Sequence, residues 1–145
     1  MLFNSSQLGT IDIDESTIIT FPQGIPGLEN CTEFKLFHNA DLSKPSIFWL
    51  QSLNEPGITF SVTTPEHLGL HYNINLDEAE TGSIGLKQTE DAAILILLYT
   101  DKTSEESHPA LGQLRANIRN PLIINHRNRQ AMQKTGLQCD ILLHN

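Results

Sequence analysis

Residues 92–99 read "AAILILLY", eight apolar residues with no charge and no break. A run of that length is either a strand covered on both faces or a short buried helix, and periodicity alone does not separate the two. The neighbouring segments do. "SIFWLQSL" (46–53) and "ITFSVTTP" (58–65) are separated by the turn-rich "NEPG", and in the second run Ile58, Phe60 and Val62 share one face against Thr59, Ser61 and Thr63. That pattern predicts a hairpin. "GTIDIDES" (9–16) alternates Ile11 and Ile13 with Asp12 and Asp14, and "TIITF" (17–21) continues in kind, so these two predict another hairpin. "HYNINL" (71–76) alternates through Tyr72, Ile74 and Leu76, while "NPLIIN" (120–125) and "CDILLH" (139–144) supply two further short strands. "DEAETGSIGL" (77–86) has room for a helical turn or two before Gly82 and Gly85 end it. Among such neighbours "AAILILLY" is read as a strand. The fold class is then all-β, mainly antiparallel: a small β-barrel-like single domain over residues 1–145 with at most short helical turns.

A chain of 145 residues is long enough to bury a core without disulfides or metals. Cys31 and Cys139 are far apart and lack a CxxC partner, so neither a zinc cage nor a disulfide framework is implied, and no cofactor is expected. No segment approaches the roughly 18 apolar residues of a membrane span, and no charged region precedes an apolar one at the start of the chain; the reading is a cytoplasmic protein with no membrane partner. Up to Leu114 there are sixteen acidic residues and four lysines, a balance of −12; from Arg115 onward four arginines and Lys134 face Asp140 alone, a balance of +4. An acidic body repels phosphate backbones, which disfavours direct nucleic-acid binding and helps association with a basic protein. "DKTSEESHPALGQ" (101–113) has the composition of an exposed loop.

Catalytic and metal-binding patterns are poorly represented. His67 and His71 are spaced i, i+4, but Gly69 lies between them and the HExxH glutamate is missing, so surface histidines are the expectation. GxSxG is absent, "TGSIGL" having the wrong glycine spacing. Asp12 with Asp14, and Glu78 with Glu80, lie two apart and are read as solvated faces.

Two stretches remain. "FPQGIPGL" (21–28) packs two prolines and two glycines into eight residues. Proline has no N–H to offer a phosphate, and GxGxxG spacing is lacking, so the stretch is read as a corner whose glycines adopt positive φ. "RNPLIINHRNRQ" (119–130) brackets an apolar strand with Arg119, Arg127 and Arg129 and, with Asn117 just upstream, the asparagines 120, 125 and 128. It is either a partner-binding edge with an apolar centre and polar rim or a strand whose asparagines shape turns.

Taken in order, "FPQGIPGLE", "FWLQS" (48–52), "FSVTTP" (60–65) and "ANIRNPLIINHRNRQAMQ" (116–133) resemble the FliW family of flagellar assembly factors, over about residues 9–133. Leu28, Ile118 and Asn120 depart from the residues usual in that family. The resemblance implies a non-enzymatic regulator with a small β-barrel-like fold. Proteins similar to this chain bind the RNA-binding translational repressor CsrA and keep it from blocking flagellin messenger RNA; they also bind flagellin, which displaces CsrA. On this reading Asn117, Arg119, Pro121, Ile123, Asn125, Arg127, Asn128 and Arg129 are the candidate partner-binding residues. Phe21, Gly24, Pro26, Gly27, Gln51, Ser52 and Pro65 are signature residues with structural roles. The competing readings are a direct RNA-binding barrel, using the basic C-terminal third with Phe48 or Trp49 as stacking platforms, although Trp49 within its apolar run is expected in the core, and an enzyme with a spatial site that sequence does not reveal.

Overall fold

The computed structural model describes residues 2–6, 8–38, 47–72, 74–100, 114–135 and 141–143. The strands are β1 (Leu2–Ser5), β2 (Gly9–Asp12), β3 (Ile19–Thr20), β4 (Glu33–His38), β5 (Phe48–Ser52), β6 (Thr59–Thr63), β7 (Leu70–Tyr72), β8 (Ala92–Thr100), β9 (Leu114–Ala116), β10 (Leu122–Asn125), β11 (Gln130–Gln133) and β12 (Ile141–Leu143). One short helix, α1 (Glu78–Ser83), and 3-10 turns at Glu15–Thr17, Pro65–Leu68 and Thr89–Asp91 complete the described elements. The loop predicted at 101–113 and the residues Cys139 and His144 lie outside the described residues.

The run at 92–99 is strand β8, and it is the strand on which the barrel closes. Its first half pairs with β10, Leu95 opposite Leu122, and its second half pairs with β6 on the other side, Leu97 opposite Val62. From β10 the sheet continues through β11, β3, β4, β5 and β6 back to β8, so seven strands form a closed barrel. All the ladders are antiparallel except that of β11 with β3, which is parallel and pairs Gln130 with Thr20. The predicted hairpin across "NEPG" is β5 and β6, with Leu50 opposite Phe60.

Strand alternation sends one residue in two into the barrel. Phe34, Leu50, Val62, Leu95, Leu122 and Ile124 form its interior cluster together with Phe21, whose ring meets that of Phe34 edge-on at 5.2 Å between centroids. An aromatic pair of that geometry is worth about 1 kcal/mol beyond its area. β8 is apolar from Ala92 to Leu98 because its outer face is covered too: Ile96 is fully buried opposite Thr63, and Ile94 shares an outer groove with Ile123, Leu76 and Leu86.

Three expectations are corrected. "GTIDIDES" does not pair with "TIITF": β2 forms its hairpin with β1, Phe3 opposite Ile11, and β3 pairs instead with β4 and β11. The 3-10 turn at Glu15–Thr17, capped by the Asp14 carboxylate, redirects the chain between them. "HYNINL" is a strand only to Tyr72; Ile74 and Leu76 leave the ladder and cover Ile94 and Ile123. Trp49, expected in the core, lies half-buried on the outer face opposite Phe37 and Ser61, while its neighbours Phe48 and Leu50 turn inward.

Candidate functional site

The signature residues upstream lie at the β3–β4 corner, on β5 and at the turn after β6. "FPQGIPGL" connects β3 to β4 as a corner: Gly24 and Gly27 have φ of 71° and 88°, and the Gly24 N–H donates to Phe21 O at 2.8 Å. A Cβ on Gly24 would lie 2.6 Å from the Glu29 Cα, so the two turns of backbone touch and only glycine fits. Phe21 is wholly buried in the core, whereas Pro26 and Gly27 are exposed. Gln51 points outward from β5 yet is fully buried beneath the β1–β2 hairpin. Its Oε1 accepts from Ser5 Oγ at 2.5 Å and Thr59 Oγ1 at 2.6 Å, and its Nε2 donates to Ser52 O at 2.8 Å and Ile58 O at 3.1 Å. One amide thus ties β1 to the β5–β6 turn. Ser52 Oγ accepts from the Glu55 N–H in that turn, and buried Pro65 opens the 3-10 turn after β6.

The downstream candidates form the β10–β11 hairpin and its approach. The apolar strand expected to be the exposed centre of a docking surface is not exposed. Leu122, Ile123, Ile124 and Asn125 are all buried, Ile123 to 2% of its surface, and Pro121 is buried as well. Leu122 and Ile124 face the interior cluster, while Ile123 faces the outer segment carrying Leu76 and Leu86. A central strand covered on both faces needs apolar residues at every position, which is the physical reason for the "LII" run.

The asparagines hold the hairpin and the helix together. Asn125 Nδ2 donates to Ile84 O at 2.9 Å, and Asn128 Nδ2 donates to the same oxygen at 3.0 Å. Their Oδ1 atoms accept from Arg127 N and Gln130 N, shaping the turn at 126–129. Asn117 Oδ1 accepts from Asn120 Nδ2 at 3.0 Å. The turn ends at Arg129, held at a φ of 57° with its N–H donating to Asn125 O. Arg127 Nε lies 3.5 Å from the nearly buried Asp91 carboxylate, and His126 Nε2 lies 3.8 Å from it.

Exposed side chains among the candidates are therefore Arg119, Arg127, Asn128 and Arg129. They do not converge. Arg119 precedes β10 and the others follow it, and four strand residues at roughly 3.3 Å each put about 13 Å between the two ends.

Local features that sequence reasoning passed over lie beside this hairpin. α1 opens with a capping box, Asp77 Oδ1 accepting from Glu80 N and Glu80 Oε1 accepting from Asp77 N. Glu80 also binds Lys134 Nζ with both oxygens, at 2.9 and 2.8 Å. After β2, the Ser16 hydroxyl and N–H both donate to Asp14 and hold its carboxyl below the usual carboxylate range.

His67 and His71 lie on different elements. His67 sits in a 3-10 turn bonded to Thr64 Oγ1 at 2.7 Å, and left-handed Gly69 separates it from His71 on β7. No group of three or more His, Cys, Asp and Glu side chains is placed to hold a metal among the described residues. Cys31 is buried as a small apolar residue. Phe48, one of the two aromatic platforms an RNA-binding surface would use, packs against the interior cluster. No helix of the described residues is long and apolar enough to cross a membrane.

Fold and site together define a small mixed β-barrel whose motifs build turns, clamps and core. The sequence model described as "FliW protein" matches residues 2–139, and the chain belongs to the FliW family. It is 53% identical over 145 residues to the flagellar assembly factor FliW of Chromobacterium violaceum, with 99% of each chain covered. It is 36% identical over 145 residues to the flagellar assembly factor FliW of Azoarcus sp. strain BH72, covering 99% of this chain and 97% of the relative. A crystal structure of the flagellar assembly factor FliW superimposes with a TM-score of 0.79 at 25% identity, covering 100% of this chain and 95% of the other.

Proposed function

We propose that this chain is a flagellar assembly factor that works by binding proteins rather than by catalysis. It captures the translational repressor CsrA, relieves repression of flagellin messenger RNA, and yields CsrA when free flagellin occupies it. The observation that carries this reading is family membership over residues 2–139. It acts in the cytoplasm, where both partners are made, and needs no cofactor.

Charge supports the reading physically. The −12 balance up to Leu114 favours association with a basic RNA-binding protein, and an acidic body docked beside an RNA site repels phosphate even without covering every RNA contact. Arg119, Arg127, Asn128 and Arg129 remain candidates for partner contact as exposed side chains; Pro121, Ile123 and Asn125 act from beneath, by holding the hairpin that carries them. Calorimetric titration of the purified protein against CsrA and against flagellin tests the reading. Saturable binding of both is expected, with no shift of RNA alone in a gel at moderate salt. Binding to neither protein refutes it, and a salt-dependent shift of RNA alone supports the nucleic-acid alternative.

A further inference from the structure

Between the corner at residues 22–26, helix α1 and strand β11 lies a groove of about 460 Å³. Met132, on the outer face of β11, makes its floor, and Pro22, Pro26 and Ala79 give its walls an apolar surface. Three carboxylates line it, Glu29, Asp77 and Glu80, and no lysine, arginine or histidine stands among the described lining residues. Glu80 is neutralised by Lys134. Glu29 and Asp77 leave the groove net negative, on opposite walls.

Both walls are fixed. The corner is held by backbone contact at Gly24 and by bonds from Leu28 N to Ile25 O and from Cys31 N to Leu28 O. α1 is tied to the barrel by the Glu80–Lys134 pair at one place and by Asn125 and Asn128 on Ile84 O at another. A groove whose walls are already ordered binds without the entropic cost of ordering them. A methionine in the floor adapts to apolar side chains of different shape.

We propose that this groove is a docking site for a protein segment that carries an apolar side chain flanked by lysine or arginine, the apolar group resting on Met132 between Pro22, Pro26 and Ala79 and the cations meeting Glu29 and Asp77. The inference rests on the reading that the chain binds proteins, and it gives "FPQGIPGL" a second role as a preformed wall.

Two experiments on the full chain test it. In the first, a lysine-leucine-lysine peptide with blocked termini is titrated into isotopically labelled protein. Amide shifts are expected at Gln23, Gly24, Ala79, Met132 and Gln133, weakening as salt rises, and none with a glutamate-leucine-glutamate peptide. Shifts elsewhere, or equal shifts with both peptides, overturn the inference. In the second, Gln23→Arg and Ala79→Lys, both at exposed positions, are compared with Ala79→Glu and with Glu66→Lys, which lies outside the groove. Affinity for CsrA or flagellin is expected to fall at least tenfold for the two cationic groove variants, to hold or rise for Ala79→Glu, and to stay within twofold for Glu66→Lys. Unchanged affinity in folded groove variants overturns the inference and leaves the protein-binding reading intact. If the wild type binds neither partner, that reading fails and the peptide titration alone decides the groove. Self-association that disappears in Ala79→Lys identifies a second copy as the occupant and overturns the proposal.

Discussion

Gly24 and Arg129 are both held in the left-handed region, and substitution should act on them in opposite directions. At Gly24 the Glu29 backbone occupies the space of a Cβ, so Gly24→Ala carries the left-handed penalty and a backbone displacement, together about 2 kcal/mol or more in chemical denaturation. An unchanged midpoint would contradict the packing described. Arg129 already bears the left-handed penalty, so Arg129→Gly should raise stability by up to about 1 kcal/mol once the greater freedom of the unfolded glycine is subtracted. A clear loss of stability would show that the arginine side chain contributes more than its backbone costs. Asp14 is lowered first by the Ser16 hydroxyl and then by the Ser16 N–H. Its carboxylate therefore favours the folded state above the unfolded pKa, and that contribution is lost as pH falls through the lowered folded value. Ser16→Ala should move its titration midpoint upward in an NMR pH series. At this scale the corner at 21–28 was legible, since proline and glycine carry their backbone preferences with them. The hub at Gln51 was not, because its partners come from residues 5, 52, 58 and 59, and an amide in a strand announces nothing about what will cover it.

The helix α1 and the hairpin β10–β11 behave as one assembly, joined by the asparagine clamp on Ile84 O and by Glu80 with Lys134. Asn125 is buried, so Asn125→Ala removes two hydrogen bonds inside the protein and should cost about 2 kcal/mol; Asn128→Ala, at an exposed position, should cost about 1 kcal/mol or less. Equal costs would argue against the clamp being asymmetric. A double-mutant cycle on Glu80→Gln and Lys134→Met should give a coupling of about 1 kcal/mol, the upper end for such pairs, because each side chain is only 20% exposed. Local elements were readable wherever their signals lay within a few residues: the "NEPG" hairpin, the strand at 92–99, and the acidic turn that became α1. The docking role given to "NPLIIN" failed at this scale. An unbroken apolar run is the mark of a strand covered on both faces, and the cover is the segment at 74–86, nearly forty residues upstream.

Across the whole molecule, an all-β barrel was legible from the frequency of short alternating runs and turns, yet its closure was not. The β11–β3 pairing is parallel and joins residues 130 and 20, so no turn chemistry between them specifies it. The same separation hid the groove, whose two walls and floor come from three distant stretches. The family was legible only through the ordered set of motifs, whose residues hold the fold beneath an acidic exterior. The central claim is that this exterior, carried on a fixed barrel, removes CsrA from flagellin messenger RNA and is itself cleared by flagellin. Its most direct test is fluorescence anisotropy of a labelled flagellin leader RNA bound to CsrA, read as the purified protein and then flagellin are added. The account predicts RNA release on the first addition and rebinding on the second; RNA that stays bound to CsrA at saturating protein would contradict it.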